Sequence, residues 1–461
     1  MNAKFNSIAI CAASLAALTS CGLEDPQRLT KPNLVMLFVD DWGWADMGCR
    51  TEMYQTPNID KLMSESLNFT RAYVPTATSS PSRSTLLTGK EALRCGLVRH
   101  IYAKTGEREF ETLATDPGHM YSRGWLQLDE ITYAERLKEV GYYNYFVGKW
   151  HLGEGEDKQY MPTNQGFDAI FGTCPAGAPN NYYYPFFTKY DPLPQCKEGD
   201  YLTNVLTDGA VEFIGEYDKD QPFLLNMWYY GVHEKHHPRL DLLEKYTKLG
   251  YEEKDAIYAA MLEAIDESVG RIRAALEAKG IAENTVIILA SDQGGSHKNG
   301  NLRGGKKGGD TLAEGGSRVP FAIYAPGSKM MGQQYSDPIH TADVFPTFIE
   351  LATGEPCADT HIQGVSLVPT LRGEKLAPRD LFLHRSYEDQ NSAIIRGDWK
   401  LIRYRSGKVE LYNIADDESE TNNLVESEMV RAKEMLATLE RWQKEATPAE
   451  LITDIPVGCH E

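Results

Sequence analysis

The sequence lacks the features that mark three large classes of protein. Lys and Arg number 47 against 66 Asp and Glu, which gives the 461-residue chain a net charge of −19. No basic stripe stands out among them, so we do not expect nucleic-acid binding. No two cysteines are spaced as CxxC, which argues against a thiolate metal site. Beyond the first twenty residues, no apolar run is long enough to cross a bilayer.

The start of the chain has the composition of an export signal. Lys4 is the only charge in residues 1–20, and an apolar, Ala-rich run covers residues 8–18. The run ends in LTSCG at residues 18–22, which resembles a bacterial lipobox. We expect removal of residues 1–20, lipidation of Cys21 and attachment to a membrane, in the periplasm or at the cell surface of a Gram-negative bacterium. The alternative is an ordinary signal peptide with a chance cysteine.

Six cysteines follow Cys21. An even number in an exported protein permits disulfides, but the pairing cannot be derived from the spacing. The six are Cys49, Cys95, Cys174, Cys196, Cys357 and Cys459.

Apolar runs alternate with helical patterns along most of the chain. Continuous apolar strands of this kind are typical of a largely parallel sheet covered on both faces, and the alternation predicts an α/β fold. The strand patterns lie at residues 34–39, 145–147, 223–230 and 286–290, and the helical patterns at 58–67, 131–140, 202–217 and 254–279.

The C-terminal part has a different pattern. Residues 398–404 and 408–413 predict two strands around a Ser-Gly turn, and residues 418–443 predict a helix. We therefore expect a catalytic domain at 21–375 and a small α+β subdomain with an antiparallel sheet at 376–461.

Polar residues follow several of the predicted strands. Ligands of open α/β sheets bind beyond the carboxyl ends of the strands, so these side chains could converge. Each also has a plainer interpretation, since Asp is a common turn residue and a single His is usually structural. Four of these residues, Asp40, Asp41, Asp292 and Gln293, offer oxygen ligands, and such a set favours calcium over zinc. The residues are Asp40, Asp41, Lys149, His151, His233, Asp292 and Gln293.

A Ser-rich helix start follows the first predicted strand along the chain. Pro81 suits the first turn of a helix and Ser80 suits its N-cap, which would place Ser79 at a helix N-terminus that favours an anion. Arg83 lies about one turn further on. The alternative is a Ser-rich cap with a solvated Arg.

The run SSPSRSTLLTG at residues 79–89 resembles the signature of the formylglycine-dependent sulfatases, a family of the alkaline phosphatase superfamily. Further stretches are similar to other motifs of that family. They are TPNIDKL at 56–62, GKWHLG at 148–153, GFD at 166–168, SDQG at 291–294, RGGK at 303–306, EGGSRVP at 314–320, GDWKL at 397–401 and ELYN at 410–413.

The resemblance implies a large N-terminal domain with a mostly parallel mixed sheet between helices. It also implies one calcium ion and a formylglycine made from Ser79. The implied metal ligands are Asp40, Asp41, residue 79, Asp292 and Gln293. Gln293 departs from the usual Asn or His, and the loop at 306–314 is longer than usual, so Lys307 is an alternative to Lys306.

Catalytic roles are implied in the same way. Arg83 would hold the formylglycine hydrate, His151 would act as base, and Lys149 and Lys306 would neutralise sulfate oxygens. His233 would contact or protonate the leaving group, with His236 and His237 as alternatives.

The implied substrate is a sulfated carbohydrate, and we expect an exo-acting enzyme for sulfated galactose, N-acetylhexosamine or uronate. In having serine at position 79, the chain resembles the bacterial members of the family whose serine is oxidised by a radical-type maturase. Two alternatives stay open: a phosphate or phosphonate monoester hydrolase of the same superfamily, and a glycan-binding lipoprotein that is not an enzyme. Candidate substrate contacts are Arg99, His100, Asn181, Tyr183, His236, His237 and His384, with Arg385 beside the last.

Overall fold

The computed structural model describes residues 31–101, 110–111, 120–153, 158–386 and 389–452. The predicted signal peptide, Cys21 and Cys459 lie outside these residues. Within the described ranges, no helix combines the length and the apolar character that a membrane crossing requires. No disulfide joins the five described cysteines, which are Cys49, Cys95, Cys174, Cys196 and Cys357.

The helices and strands follow each other in α/β order over most of the chain. The strands are β1 Asn33–Val39, β2 Leu67–Phe69, β3 Ala72–Tyr73, β4 Phe110–Glu111, β5 Ser122–Arg123, β6 Tyr143–Gly148, β7 Ala169–Phe171, β8 Phe223–Trp228, β9 Thr285–Ser291, β10 Arg318–Val319, β11 Phe321–Tyr324, β12 Gln334–Tyr335, β13 Ile339–His340, β14 Asp380–His384, β15 Gln390–Arg396, β16 Trp399–Tyr404 and β17 Val409–Asn413. The helices are α1 Pro57–Ser64, α2 Ser79–Thr88, α3 Ala92–Cys95, α4 Tyr133–Glu139, α5 Leu202–Glu216, α6 Leu240–Lys248, α7 Glu253–Lys279, α8 Glu314–Ser317, α9 Val344–Thr353, α10 Val368–Leu371 and α11 Met429–Ala446.

An eight-stranded mixed sheet forms the centre of the large domain, in the order β12-β2-β11-β9-β1-β8-β6-β7. The strands from β9 to β7 are mutually parallel, and β11 runs antiparallel to both of its neighbours. β1 and β9 are buried along their whole length, which matches their continuous apolar sequences. The predicted α/β fold with a mostly parallel sheet is confirmed.

Helices cover both faces of this sheet. Val35 and Leu37 of β1 pack into a core with α5 and α7, while Leu34 and Met36 face a second core with α4 and α9. Successive side chains of a strand point to opposite faces, so a strand that is apolar at every position needs a cover on each side. The sheet is therefore the middle layer of three.

The small C-terminal sheet is antiparallel, in the order β14-β15-β16-β17, and α11 packs against it. This part of the prediction is also confirmed, but the helix begins at Met429 and not near residue 418. The Asp417 carboxylate accepts the backbone N–H groups of Thr421 and Asn422, and such local bonds favour a turn over a helix.

One predicted helix of the large domain is also shorter than expected. α1 ends at Ser64, and residues 67–69 leave the helical pattern to pair with β11 as strand β2. The apolar side chains of this segment could be buried in a helix or in a strand, and pairing with β11 favours the strand.

Candidate active site

The carboxyl ends of three parallel strands of the large sheet deliver the charged side chains of the site. Asp40 and Asp41 follow β1, Asp292 follows β9, and Lys149 follows β6. A hydrogen bond links the ends of β1 and β9, because the Asp41 backbone N–H donates to the Asp292 carboxylate oxygen Oδ1 over 3.1 Å. The convergence predicted from the strand ends is present.

Ser79 enters the site at the start of α2. The helix begins at Ser79 itself, with Thr78 in the cap position, so the predicted N-cap at Ser80 is wrong. The Ser80 hydroxyl accepts the Ile101 N–H over 3.1 Å, a tertiary contact that removes it from capping. Ser79 Oγ lies 3.5 Å from Asp40 Oδ1 and 3.2 Å from the Gln293 amide nitrogen.

Three cations balance the three carboxylates. The Arg83 guanidinium lies 3.0 Å from Asp292 Oδ2 and 3.5 Å from Asp40 Oδ2. Lys149 contacts Asp40, and its ammonium group is 3.4 Å from Ser79 Oγ. Lys306 contacts Asp41. Of the two lysines left open by the sequence, Lys306 is therefore the one that reaches the carboxylates.

The lysines and carboxylates shift one another's pKa. Burial alone would raise the pKa of Asp41, but Lys306 and His233 outweigh it, and the pKa lies below its usual value. Burial opposes the charge of Lys306 as well, yet Asp41 and Asp40 raise its pKa. For Lys149 burial wins over the attraction of Asp40, and the pKa is lowered.

Two histidines lie beside these charged groups, and the pKa of each ring is lowered. Burial lowers the pKa of His151 well below its usual value, and the Lys149 charge adds to this. Burial also lowers the pKa of His233. His151 Nε2 lies 2.9 Å from the Ile101 carbonyl oxygen, and His233 Nδ1 contacts the Glu234 carbonyl oxygen.

The donor set fits a hard divalent cation. Asp40, Asp41 and Asp292 present carboxylate oxygens, the ligand type that Ca²⁺ prefers. The Gln293 amide turns its nitrogen toward Asp41 Oδ1, at 2.5 Å, so its oxygen becomes a ligand only when the amide rotates. His233 is close enough to Asp40 and Asp41 to share a metal with them, a role that the sequence analysis did not give it.

A cavity of about 680 Å³ opens in front of Ser79. Its volume lies within the usual range of small-ligand sites. Its walls include Thr78, Ser79, His100, Ile101, His151, Ala176, Gly177, Ala178, Asn180, Phe187, Thr188, Lys189, Tyr190, His233, Glu234, Gln293, Lys306, Lys307 and Arg385.

The candidate substrate contacts divide into two groups. His100 and the neighbouring candidate Arg385 lie on the cavity wall. His236 Nε2 instead contacts the Val232 carbonyl oxygen at 3.2 Å, and His384 Nδ1 lies 3.3 Å from Ser392 Oγ. The residues that are not among the lining residues are Arg99, Asn181, Tyr183, His236, His237 and His384.

The sequence analysis did not name several of the wall residues, among them Thr78, Glu234 and Gly177. Thr78 precedes the motif, and Glu234 forms an ion pair with Lys307 at the rim, 2.7 Å between their charged atoms. Gly177 packs against the His151 ring, since a Cβ atom there would lie 2.3 Å from Nε2. Thr78 and Glu234 are sequence neighbours of the predicted residues Ser79 and His233, and this proximity was the signal that could have identified them. No feature of the local sequence indicates the contact between Gly177 and His151.

Comparisons with known proteins agree with this geometry. A family model described as "Sulfatase" matches residues 32–354, and one described as "N-sulphoglucosamine sulphohydrolase, C-terminal" matches residues 311–445. Mouse (Mus musculus) arylsulfatase J is 31% identical over 372 residues, 77% of this chain and 58% of the relative. The chain thus spans little more than half the length of that relative.

A second relative and a solved structure match over more of their own length. Mouse N-acetylgalactosamine-6-sulfatase is 30% identical over 408 residues, 82% of this chain and 74% of the relative. The crystal structure of Ps i-CgsB in complex with k-i-k-neocarrahexaose has a TM-score of 0.77 at 26% identity and covers 92% of this chain and 96% of that one.

Proposed function

This chain belongs to the sulfatase family, a family of sulfuric ester hydrolases, and we propose that it removes sulfate from carbohydrates with calcium and a formylglycine made from Ser79. The observation that carries the proposal is the place of Ser79. It starts a helix at the floor of the cavity, with Asp40 and the Gln293 amide within 3.5 Å of its oxygen. The proposed nucleophile is thus a neighbour of the groups proposed to bind the metal.

Asp40, Asp41, Asp292 and Gln293 are the residues that would hold the calcium ion, with His233 at its border. A bound calcium ion would supply positive charge for a sulfate oxygen and for the hydroxyl that attacks sulfur. The three carboxylates already face three cations, so the chain holds the negative charge of this cluster without exposing it to water.

After addition of water to its aldehyde, a formylglycine at position 79 would carry two geminal hydroxyl groups, one to attack sulfur and one to expel sulfate afterwards. Arg83 is fixed beside them, because it lies between Asp40 and Asp292 and also donates to the Lys149 carbonyl oxygen over 3.0 Å. An unmodified serine has one hydroxyl and no such route for release.

Lys149 and Lys306 would meet the sulfate oxygens as negative charge shifts during the reaction. Lys149 contacts the Asp40 carboxylate and Lys306 contacts the Asp41 carboxylate, so both ammonium groups are oriented before substrate binds. Little side-chain rearrangement is then needed during the reaction, which is the physical basis of electrostatic stabilisation in such sites.

The two histidines have different proton positions. The Ile101 carbonyl oxygen holds the His151 proton on Nε2, which leaves Nδ1 as the basic nitrogen. The Glu234 carbonyl oxygen holds the His233 proton on Nδ1. His233 therefore donates a proton from Nε2 only as an imidazolium, a state that the sulfate charge favours and burial opposes. His151 fits the role of base and His233 that of leaving-group donor.

The carbohydrate substrate is supported by the relatives and by the cavity. The relatives include N-acetylgalactosamine-6-sulfatase, and Ps i-CgsB was solved with k-i-k-neocarrahexaose. His100, Asn180 and Tyr190 add polar and aromatic groups to the wall, as sugar recognition requires. The moderate volume of the cavity, about 680 Å³, favours action on a terminal sulfated sugar.

The setting of the enzyme is part of the same proposal. The LTSCG run supports a lipid anchor at Cys21 in the periplasm or at the surface of a Gram-negative bacterium. Serine at position 79 supports maturation by a bacterial radical-type enzyme. The catalytic domain at 21–375 and the subdomain at 376–461 stay predictions.

Mass spectrometry of the peptide 72–83 tests the proposal most directly. Protein made together with a radical-type maturase should give a peptide lighter by two hydrogen atoms, and it should hydrolyse nitrophenyl sulfate faster than nitrophenyl phosphate. An unmodified Ser79 in that protein, with no turnover, would favour the glycan-binding alternative. Faster turnover of the phosphate would favour the phosphoesterase alternative.

A further inference from the structure

Behind the Asp40–Asp41 turn lies a buried carboxyl group that the proposed mechanism does not use. Asp46 is fully buried, and its Oδ2 accepts the Gly43 N–H over 2.9 Å and the Tyr258 hydroxyl over 2.7 Å. Burial raises the pKa of Asp46 to about 7, although both of these hydrogen bonds lower it. A carboxyl group in such a place costs stability, and a role for it is therefore expected.

The backbone next to this group is strained. Asp41 has φ = +58°, in the left-handed region that non-glycine residues avoid. The Tyr258 hydroxyl that donates to Asp46 also lies 3.3 Å from the Asp41 carbonyl oxygen. One hydroxyl group thus contacts both the strained residue and the carboxyl group behind it.

The carboxyl group fits between two glycines that leave it little space. A Cβ atom at Gly43 would lie 2.5 Å from Asp46 Oδ2, and one at Gly295 would lie 2.6 Å from it. Gly43 belongs to the turn after β1, and Gly295 follows Gln293 in the loop after β9. Asp46 therefore packs against both loops that carry the candidate metal ligands.

Further hydrogen bonds close the turn around Asp46. The Trp42 indole N–H donates to the Asp46 carbonyl oxygen over 2.6 Å, and the Asp46 N–H donates to the Gly43 carbonyl oxygen over 3.0 Å. The Trp42 N–H donates to Ser291 Oγ over 3.1 Å. Hydrogen bonds within the turn, together with the bond to Ser291 of β9, therefore hold the turn in place.

We propose that Asp46 and Tyr258 are positioning residues: they hold the Asp41 backbone in its left-handed conformation and so keep the Asp41 carboxylate facing the site. Neither side chain contacts the reacting atoms. The inference rests on the proposed function only in taking Asp41 as a calcium ligand; the effect on the turn itself is independent of that.

Calcium titration of the full chain by calorimetry tests the inference. Asp46→Ala removes the acceptor of two donors, and we expect calcium affinity to fall about 10- to 100-fold, as for other partners of metal ligands. Asp46→Asn keeps an acceptor oxygen and should stay close to wild type. Tyr258→Phe should weaken calcium binding about tenfold. Asp292→Ala removes a candidate ligand and should abolish the binding heat.

A second measurement reports the turn without calcium. Hydrogen exchange of the amides at 41–43 should be faster in Asp46→Ala and Tyr258→Phe than in wild type. Tyr229→Phe is the matched control, because the Tyr229 hydroxyl shares a 2.9 Å hydrogen bond with Ser268 on the same helix, α7. It should leave both the calcium affinity and the exchange at 41–43 unchanged.

The outcomes separate the two ideas. If both variants bind calcium as wild type does and exchange at 41–43 is unchanged, the inference is overturned, as it is if Tyr229→Phe has the same effect. If wild type binds no calcium, the proposed cofactor fails, and the exchange at 41–43 alone decides the inference. Should Asp46→Ala not fold, Tyr258→Phe gives the same test.

Discussion

Two clusters of buried charges in this molecule have similar chemistry and different surroundings. The first is the active-site cluster of Asp40, Asp41, Asp292, Arg83, Lys149 and Lys306. The second, here called the junction cluster, consists of Glu314, Lys400 and Glu420, and joins the C-terminal sheet to the large domain. Lys400 lies 2.8 Å from Glu314 and 3.2 Å from Glu420, and all three side chains are fully buried.

The junction cluster is enclosed on its remaining sides. The Tyr73 hydroxyl donates to Glu314 over 3.0 Å, and the Glu314 N–H donates to Glu420 over 2.8 Å. The active-site cluster instead borders the cavity through Lys306 and lies beside the Ser79 hydroxyl. Burial and ion pairing alone therefore do not distinguish the candidate active site; the open side and the adjacent Ser79 hydroxyl do.

The strongest way to break this comparison is to remove the proposed nucleophile, Ser79. Ser79→Ala should lower turnover of nitrophenyl sulfate by at least about 10⁴-fold, as expected when a nucleophile is lost. The free energy of unfolding should change little, because Ser79 Oγ makes only contacts of 3.2 Å or longer. Both quantities should be measured on protein made with the maturase.

Ser84→Ala is the matched control for this variant. Ser84 lies in the same helix, is equally buried and donates to the Pro81 carbonyl oxygen over 2.8 Å. It should retain turnover. Residual turnover of Ser79→Ala near the Ser84→Ala value would contradict the choice of nucleophile.

The sequence predicted the active-site cluster better than the junction cluster, for a physical reason. Asp40, Lys149 and Asp292 each follow an apolar strand, and parallel topology brings strand ends together whatever the loops do. Glu314, Lys400 and Glu420 come from a short helix, a strand and a loop. No local periodicity relates these three positions, so their contact depends on how the two sheets pack.

The same limit applies within the site. Asp46 and Tyr258 are 212 residues apart, and their contact follows from the packing of α7 against the turn after β1. The start of α2 was misplaced because a contact with Ile101 takes up the Ser80 hydroxyl. Patterns along the chain predicted which elements exist, whereas contacts between elements decide their ends.

A second prediction addresses the junction cluster. Lys400→Met removes the cation that contacts both buried carboxylates and leaves Arg318 at 3.5 Å from Glu314 and Arg303 at 3.4 Å from Glu420. The free energy of unfolding should fall by up to about 3–5 kcal/mol, measured in urea. Turnover per folded molecule should stay close to wild type, the reverse of the result for Ser79→Ala. A loss of turnover without a loss of stability would show that the two clusters do not differ as described.

The control for Lys400→Met removes the charges together. Lys400→Met combined with Glu314→Gln and Glu420→Gln removes the lysine charge together with both carboxylate charges. Arg318 keeps Glu418 and Arg303 keeps Glu410 as ion-pair partners, so this variant should recover much of the lost stability. Stability that stays at the single-variant value would point to lost packing of the lysine stem instead.

The smallest expected effect concerns a buried titrating group outside both clusters. His340 ends β13 and is 3% exposed, and burial lowers its pKa from 6.5 to about 4. Because the unfolded chain binds the proton first, stability should fall as the pH drops from about 6.5 toward about 4, by up to about 3 kcal/mol. Asp46, whose pKa is raised, changes stability in the opposite direction over part of this range, so the comparison needs a variant.

His340→Asn keeps an acceptor for the Ala342 N–H, and its unfolding free energy should depend less on pH than that of wild type. Parallel pH curves for the two proteins would show that this buried ring does not contribute to acid sensitivity.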